Sequence, residues 1–243
     1  MSNYGGIVIK LSGESISAPD GGIDIYRASG TAKKIVSILD LCDNVSVVVG
    51  GGNIIRGRDF SRKNHTNLCD ATAFRKTTAD SIGMISTILN ALYLSEILIS
   101  DYGVSCDVFT PKPISYGTVS TKDYSQYGSC CSRLSFFAGG TGLPYFSTDI
   151  CAVICAKYTR SGLILKATKT DGVYDKDPLV YQDAVHISEI TYSDAIAKNI
   201  KIMDQAAFFM ARDSKIKIKV FNMNEDDCFR AVIEGKLKHS TIL

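Results

Sequence analysis

The sequence has little that would direct it to nucleic acid or lipid. Its formal net charge is only +2 over 243 residues, too small to argue for a polyanionic partner. No run of eighteen apolar residues occurs, so no transmembrane helix and no membrane partner are expected. The N-terminus has no charged stretch leading into an apolar one. That pattern lacks a secretory signal and points to the cytoplasm. Histidine is scarce: His65, His186 and His239 are scattered and read as surface or satisfied side chains rather than ligands or bases. Eight cysteines are more than usual, yet none forms a CxxC pair and no histidine sits near them at zinc spacing. They read as free thiols of a reducing compartment, and no protein metal site is expected. Three nucleotide-enzyme signatures are also missing. There is no GxxxxGK[ST], no HRD and DFG set, and no GxGxxG after the first strand. These absences exclude a P-loop enzyme and a protein kinase, and weigh against a dinucleotide oxidoreductase.

What remains is an ordinary globular balance, 45% hydrophobic and 21% charged residues, with no internal repeat or low-complexity segment. The length suits one large α/β domain or two small ones. Strand-like runs rich in Val and Ile fall at 6–11, 45–49, 104–109, 134–138, 163–167 and 216–221. Several are apolar throughout rather than alternating, which suits a parallel sheet covered on both faces. Helical patterns fall between them at 27–42, 79–98, 148–159, 188–198, 204–214 and 226–235. This alternation predicts an α/β fold, a doubly wound and mostly parallel sheet with helices on both faces. In such sheets ligands bind beyond the C-terminal ends of the strands.

Those strand ends carry the chemistry. The first delivers Lys10, then Leu11, Ser12 and Gly13. A charge at the end of a buried strand needs a partner. The second ends in Gly50-Gly51-Gly52-Asn53, with Arg56 close behind. Three consecutive glycines allow a close backbone approach with N–H groups aimed at an anion, and a helix starting just beyond would add its dipole. The fourth ends in AGGTGLPYFSTD, residues 138–149, where Ser147 or Thr148 is placed to cap a helix. The fifth ends in KATKTDGVYDKDP, residues 166–178. One glycine turn is a weak signal. Several on one sheet edge, with Lys10, Arg56, Lys166 and Lys169 converging, point to a polyphosphate ligand with Lys10 on a phosphoryl group.

The stretches KLSGES, VVVGGGNIIRG, GTGLPYFSTD, LKATKTDGVYDKDP, KIMDQAAFFMARD and IKVFNM together resemble the bacterial uridylate kinases, a branch of the amino-acid kinase superfamily. The resemblance runs nearly end to end. It implies a single domain over 1–243, with the UMP part mainly N-terminal and the ATP part mainly C-terminal. It implies transfer of the ATP γ-phosphate to UMP, with Mg²⁺ carried on ATP, in pyrimidine nucleotide synthesis. It also implies a homohexamer, with activation by GTP and inhibition by UTP as the regulation to test. Carried over by position, Lys10, Leu11, Ser12, Gly13, Gly52 and Arg56 fall on ATP phosphates, and Thr168, Tyr174 and Asp177 on the adenine nucleotide. Gly51 and Asp80 fall on UMP, as do Thr141, Gly142, Leu143, Pro144, Tyr145, Phe146, Ser147 and Thr148. Lys10 and Arg56 would stabilise the transferring group, and Asp149 and Asp204 would orient a lysine or a metal-bound water. No general base is needed, because the acceptor phosphate is already ionised near neutral pH.

Departures from the resemblance are local. The stretch around Asp80 reads Ala79-Asp80-Ser81-Ile82-Gly83, Leu143 replaces an expected Asn, and Tyr145-Phe146-Ser147-Thr148 replaces Phe-Thr-Thr. The segment between Arg56 and Asp80 is long and reads either as a surface loop or as a lid carrying Arg58, Arg62 and Lys63. Tyr174 reads as an adenine contact or a packing aromatic, Asp204 as a functional acid or a helix cap, and Asp171-Gly172 as a turn in either case. Lys201 reads as a solvated charge beside a helix. Two rivals are a superfamily enzyme acting on a carboxylate or carbamate, and a nucleotide-binding protein that has lost phosphoryl transfer.

Overall fold

The computed structural model describes residues 5–55, 71–129 and 132–243. Strand β1 (Gly6–Leu11) is followed by helix α1 (Ile25–Val36), β2 (Asn44–Val49) and the long α2 (Ala71–Tyr102). Next come β3 (Cys106–Thr110), the short β4 (Ser115–Tyr116), β5 (Val119–Ser120) and β6 (Lys122–Asp123), and β7 (Leu134–Phe137). Helix α3 (Thr148–Tyr158) leads to β8 (Leu163–Thr168), β9 (Val173–Tyr174), β10 (His186–Ile187) and β11 (Glu189–Ile190). The chain closes with α4 (Tyr192–Ala197), α5 (Gln205–Asp213), β12 (Lys217–Asn222), α6 (Cys228–Ile233) and β13 (His239–Ile242).

Nine strands form one sheet in the order β11-β13-β12-β8-β1-β2-β7-β3-β6. Every neighbouring pair is parallel except β12 with β13. The central strands are apolar throughout because both faces are covered. Ile7, Ile9 and Leu11 of β1 share one core layer with residues of α1, α2 and α6. Val8 shares the opposite layer with residues of α3, α4 and α5. Each fully buried Ile, Leu or Val contributes roughly 1.5–3 kcal/mol, so the register of the central strands is strongly specified.

Strand β1 sits between β8 and β2. Its onward connection runs to β2, whereas β8 is followed across the other side by β12. Connections leaving in opposite directions from adjacent strands open a crevice at their C-terminal ends. Lys10 and Lys166 are register partners across that pair.

All six expected strands are present to within a few residues. The helix expected over 188–198 is a two-residue strand, Glu189–Ile190, followed by a helix that starts only after the Thr191 cap. The strand pairs with the chain's closing strand, a partner no local pattern announces. The expected helix at 27–42 stops at Val36, and the turns beyond it are held by Arg133, which donates to the carbonyls of Leu39 (2.6 Å) and Cys42 (2.7 Å). The helix expected from 79 begins at Ala71, so the last part of the long segment before Asp80 is helical and not a loop. Arg58, Arg62, Lys63 and His65 lie outside the described residues.

Between Lys76 and Tyr102, α2 is long and apolar enough, by length and composition alone, to cross a membrane. The expectation of no such segment is corrected to that extent. Half of its most apolar eighteen-residue window is buried, with Ile88, Ala91, Leu94 and Leu98 packed in the core, as in a core helix. The buried polar groups Ser86, Thr87 and Asn90 interrupt the apolar run.

Candidate active site

The β1–β8 crevice holds a three-member charge cluster. Asp149 stands at the first turn of α3, whose cap is Ser147: its hydroxyl accepts from the N–H groups of Asp149 (3.2 Å) and Ile150 (3.5 Å). That settles which of Ser147 and Thr148 is the cap. Oδ1 of Asp149 lies 3.2 Å from the Lys10 ammonium and 2.5 Å from that of Lys166. The three side chains are only 12%, 14% and 7% exposed for Lys10, Asp149 and Lys166. Burial alone would raise the Asp149 carboxyl, but Lys10 and Lys166 outweigh it and hold the group below its ordinary value. Burial, and then the neighbouring Lys10, push the Lys166 ammonium down to about 8. Asp204 caps α5 by position but makes no side-chain cap bond. Its charge is a minor support for the protonated form of Lys166, after that of Asp149.

One cavity opens on the cluster, and another lies by the residue before Asp149. The larger, about 810 Å³, is lined by Lys10, Ser12, Glu14, Lys166, Thr168 and Lys169, together with Arg27 and Lys34 of α1. Lys169 is tied there to Glu14 at 2.7 Å. A second, about 170 Å³, is lined by Gly51, Gly52, Asp80, Gly140, Leu143, Phe146 and Thr148. The expected acceptor residues Thr141, Gly142, Pro144, Tyr145 and Ser147 are not in its lining but shape the loop that walls it. Thr141 accepts from the Leu143 N–H at 3.2 Å. Tyr145 sits at φ 71°, an uncommon conformation for a non-glycine residue. It is held by its N–H donating to Asp80 Oδ2 at 2.9 Å and by Lys76 over its ring at 5.0 Å. Asp80 is thus a helical residue that bolts the loop onto α2.

Tyr174 and Asp177 line a separate cavity of about 480 Å³ with Lys198, Lys201 and Ile202. Ile202 also lines the large cleft, so the two adjoin. Lys201 is exposed at the rim of this cavity. Arg56 lies outside the described residues, so its expected convergence with Lys10 is not placed here.

The glycine loop differs from expectation in how its glycines are used. The helix expected just beyond it lies outside the described residues, which break off at 55; up to there, the N–H groups of Ile54 and Ile55 turn back onto the Gly51 carbonyl. A Cβ on Gly51 would lie 2.6 Å from the Gly83 carbonyl oxygen, and one on Gly13 would lie 2.7 Å from that of Gly50. These glycines permit backbone-to-backbone packing. Gly52 alone has open space where a side chain would be, and it faces the second cavity. The loop is braced by a reciprocal amide pair missed at the sequence level, Asn53 and Asn90, bonded both ways at 3.0 and 2.7 Å, with Asn90 also donating to the Gly50 carbonyl at 2.7 Å. A lone Asn inside the apolar face of an expected helix was the available signal. Thr87 accepts from the Gly139 N–H at 2.8 Å, and the Tyr124 hydroxyl donates to the Gly140 carbonyl at 2.7 Å, fixing the other glycine turn.

Among the described residues no group of three or more His, Cys, Asp or Glu could hold a metal, and Cys42, Cys106, Cys151, Cys155 and Cys228 are free thiols. Asp149 is committed to Lys10 and Lys166, whereas the exposed Asp204 acts electrostatically on Lys166 and suits a cation that arrives on phosphate oxygens and keeps its waters.

This cluster carries a pH signature. A lysine near 8 is about half deprotonated at that pH, and an incoming phosphate favours its charged form. Nucleotide binding near pH 8 should therefore take up protons, with uptake fading toward pH 6. Calorimetry in buffers of different ionisation enthalpy reads this directly. Uptake unchanged in Lys166→Met would assign the protons elsewhere.

The chain matches the amino acid kinase family over residues 6–222. A uridylate kinase of Francisella tularensis subsp. holarctica is 38% identical over 234 residues, 95% of this chain and 90% of that protein. One from Pseudoalteromonas atlantica is 35% identical over 236 residues, 96% of this chain and 91% of the relative. The crystal structure of UMP kinase from Ureaplasma parvum superposes with a TM-score of 0.85 at 31% identity, covering 100% of this chain and 99% of that one.

Proposed function

The chain belongs to the amino acid kinase family and, within it, to the uridylate kinases, and on that premise we propose that it transfers the γ-phosphoryl group of ATP to UMP, giving UDP and ADP. It is a nucleoside monophosphate kinase. The observation that carries the site reading is the pair of lysines, Lys10 and Lys166, on adjacent central strands, converging on one buried carboxylate.

Phosphoryl transfer asks the protein for in-line positioning and for charge cancellation on the equatorial oxygens. Lys10 and Lys166 supply two fixed positive charges in a low-dielectric crevice, where they act more strongly than in water. Asp149 holds both ammonium groups at one carboxylate oxygen. Arg56, on the loop after β2, is proposed as a third cation. The 170 Å³ cavity takes the UMP side, with Asp80, Gly51 and the 141–148 loop around it. The 810 Å³ cleft takes the ATP phosphates along Lys10, Ser12 and Thr168. Of the other expected ATP residues, Leu11 is fully buried, Gly13 is buried and Gly52 lines the smaller cavity, while the cavity at Tyr174 and Asp177 takes the adenine. In this reading the single domain is acceptor-binding mainly in its N-terminal part and donor-binding mainly in its C-terminal part. Mg²⁺, carried on the ATP phosphates, supplies further charge neutralisation.

A homohexamer fits the exposed apolar side of α2, where Ile85, Leu89, Ile99 and Tyr102 are uncovered. Cytoplasmic pyrimidine nucleotide synthesis, with GTP activation and UTP inhibition, is the setting proposed with it. The test is ADP release with ATP and Mg²⁺ against UMP, CMP, dUMP, glutamate, acetylglutamate and carbamate. Turnover is expected largely with UMP. Turnover with a carboxylate or carbamate instead, or binding of ATP without turnover of any acceptor, would replace this reading with one of its rivals.

A further inference from the structure

Tyr174 reaches its cavity from a hairpin that has little means of holding itself. Strands β9 and β10 pair over two residues each, His186 with Tyr174 and Ile187 with Val173, and so short a ribbon has marginal stability alone. Its geometry is set from outside, by the last strand of the chain. The buried Ser240 hydroxyl of β13 accepts from the Val173 N–H at 2.7 Å and donates to the Ile187 carbonyl at 2.5 Å, so one oxygen clamps both strands. His186 Nε2 lies 3.2 Å from the same hydroxyl. Gly172 leaves room for this clamp, since a Cβ there would sit 2.4 Å from the Ser240 oxygen.

The Tyr174 side chain is fixed from the same strand. Its hydroxyl donates to one oxygen of Asp171 at 2.5 Å, and the ammonium of Lys238 holds the other at 2.7 Å. Lys238 also reaches the Tyr174 hydroxyl at 3.3 Å and lies 5.6 Å from the ring centroid. The His186 ring packs edge-on against Tyr174, with centroids 5.2 Å apart.

We propose that Lys238 and Ser240 are positioning residues for the donor nucleotide, setting from β13 the Tyr174 ring and the hairpin that wall the 480 Å³ cavity. The proposal rests on reading that cavity as the adenine side of the ATP site. An aromatic wall already held in one orientation spares the ordering cost that binding would otherwise incur. Neither residue lines the large cleft proposed for the phosphates, so their effect belongs in donor affinity and not in the chemical step.

Steady-state kinetics with separate variation of ATP and UMP test this, with Tyr174→Ala as the reference variant. Loss of the exposed Lys238–Asp171 pair in Lys238→Met should raise KM for ATP about threefold, with kcat and KM for UMP changed less than about twofold, and Lys238→Arg should restore it. Ser240→Ala, which strands a buried N–H, should raise KM for ATP about tenfold. If Tyr174→Ala raises KM for ATP while Lys238→Met and Ser240→Ala do not, the positioning role is overturned. Equal rises for ATP and UMP with a lower melting temperature would overturn it in favour of a general structural role. If Tyr174→Ala itself leaves KM for ATP unchanged, the adenine reading of the cavity fails first, and the proposal falls with it.

Discussion

Lys10→Ala is expected to lower kcat by about 10²- to 10³-fold, with KM for UMP little changed. The ammonium sits at the end of a fully packed strand, 12% exposed, and is held by Asp149 in the lining of the larger proposed nucleotide cavity. Its charge is prepaid: strand register and the Asp149 contact hold it before substrate arrives. Removing it leaves Asp149 still paired with Lys166 at 2.5 Å, so the fold should survive. That separation makes the result interpretable. Single-turnover kinetics under saturating ATP and UMP read the chemical step, and a rate within about tenfold of the parent would remove Lys10 from the transition state.

Asp149→Asn is expected to damage both stability and activity. Two lysines, 12% and 7% exposed, would lose the one carboxylate that both approach. Breaking a buried ion pair by removing one partner typically costs about 3–5 kcal/mol. Lys166, already pushed down to about 8 by burial and by Lys10, would fall further and be largely neutral at physiological pH. The sign with pH follows from the direction of the Asp149 shift. Its folded-state value lies below the ordinary 3.8, so its stabilisation is fully present above that value and is lost as pH falls through the depressed one. Denaturant unfolding at pH 7 should show a large gap between parent and variant, and the gap should close on the acid side. A difference under about 1 kcal/mol at pH 7 would mean that the lysines find other partners.

Strand alternation, helix order and strand-end chemistry were legible because they are local. Apolar runs such as VVV at 47–49 belong to strands covered on both faces, and a hydroxyl before an acidic first turn marks the Ser147 cap wherever the chain goes. What local pattern could not carry were the partners. Glu189–Ile190 is a strand only because residues 241–242 lie beside it. The uses of Gly13 and Gly51 depend on the backbones of Gly50 and Gly83, which are distant in sequence from at least one of them.

By itself, then, the sequence determined the fold class, the set of phosphate-facing strand ends and the family resemblance. These follow from hydrophobic periodicity and from residue types that only certain chemistry requires. The tertiary structure decided which charges work together. Lys10 and Lys166 are 156 positions apart in the chain (166 minus 10) yet are register partners. Their convergence on Asp149, and the hold of Ser240 and Lys238 on Tyr174, arise only when strand order brings distant segments within bonding distance. Electrostatic and hydrogen-bond energies fall steeply with separation, and separation in space is not written in separation along the chain.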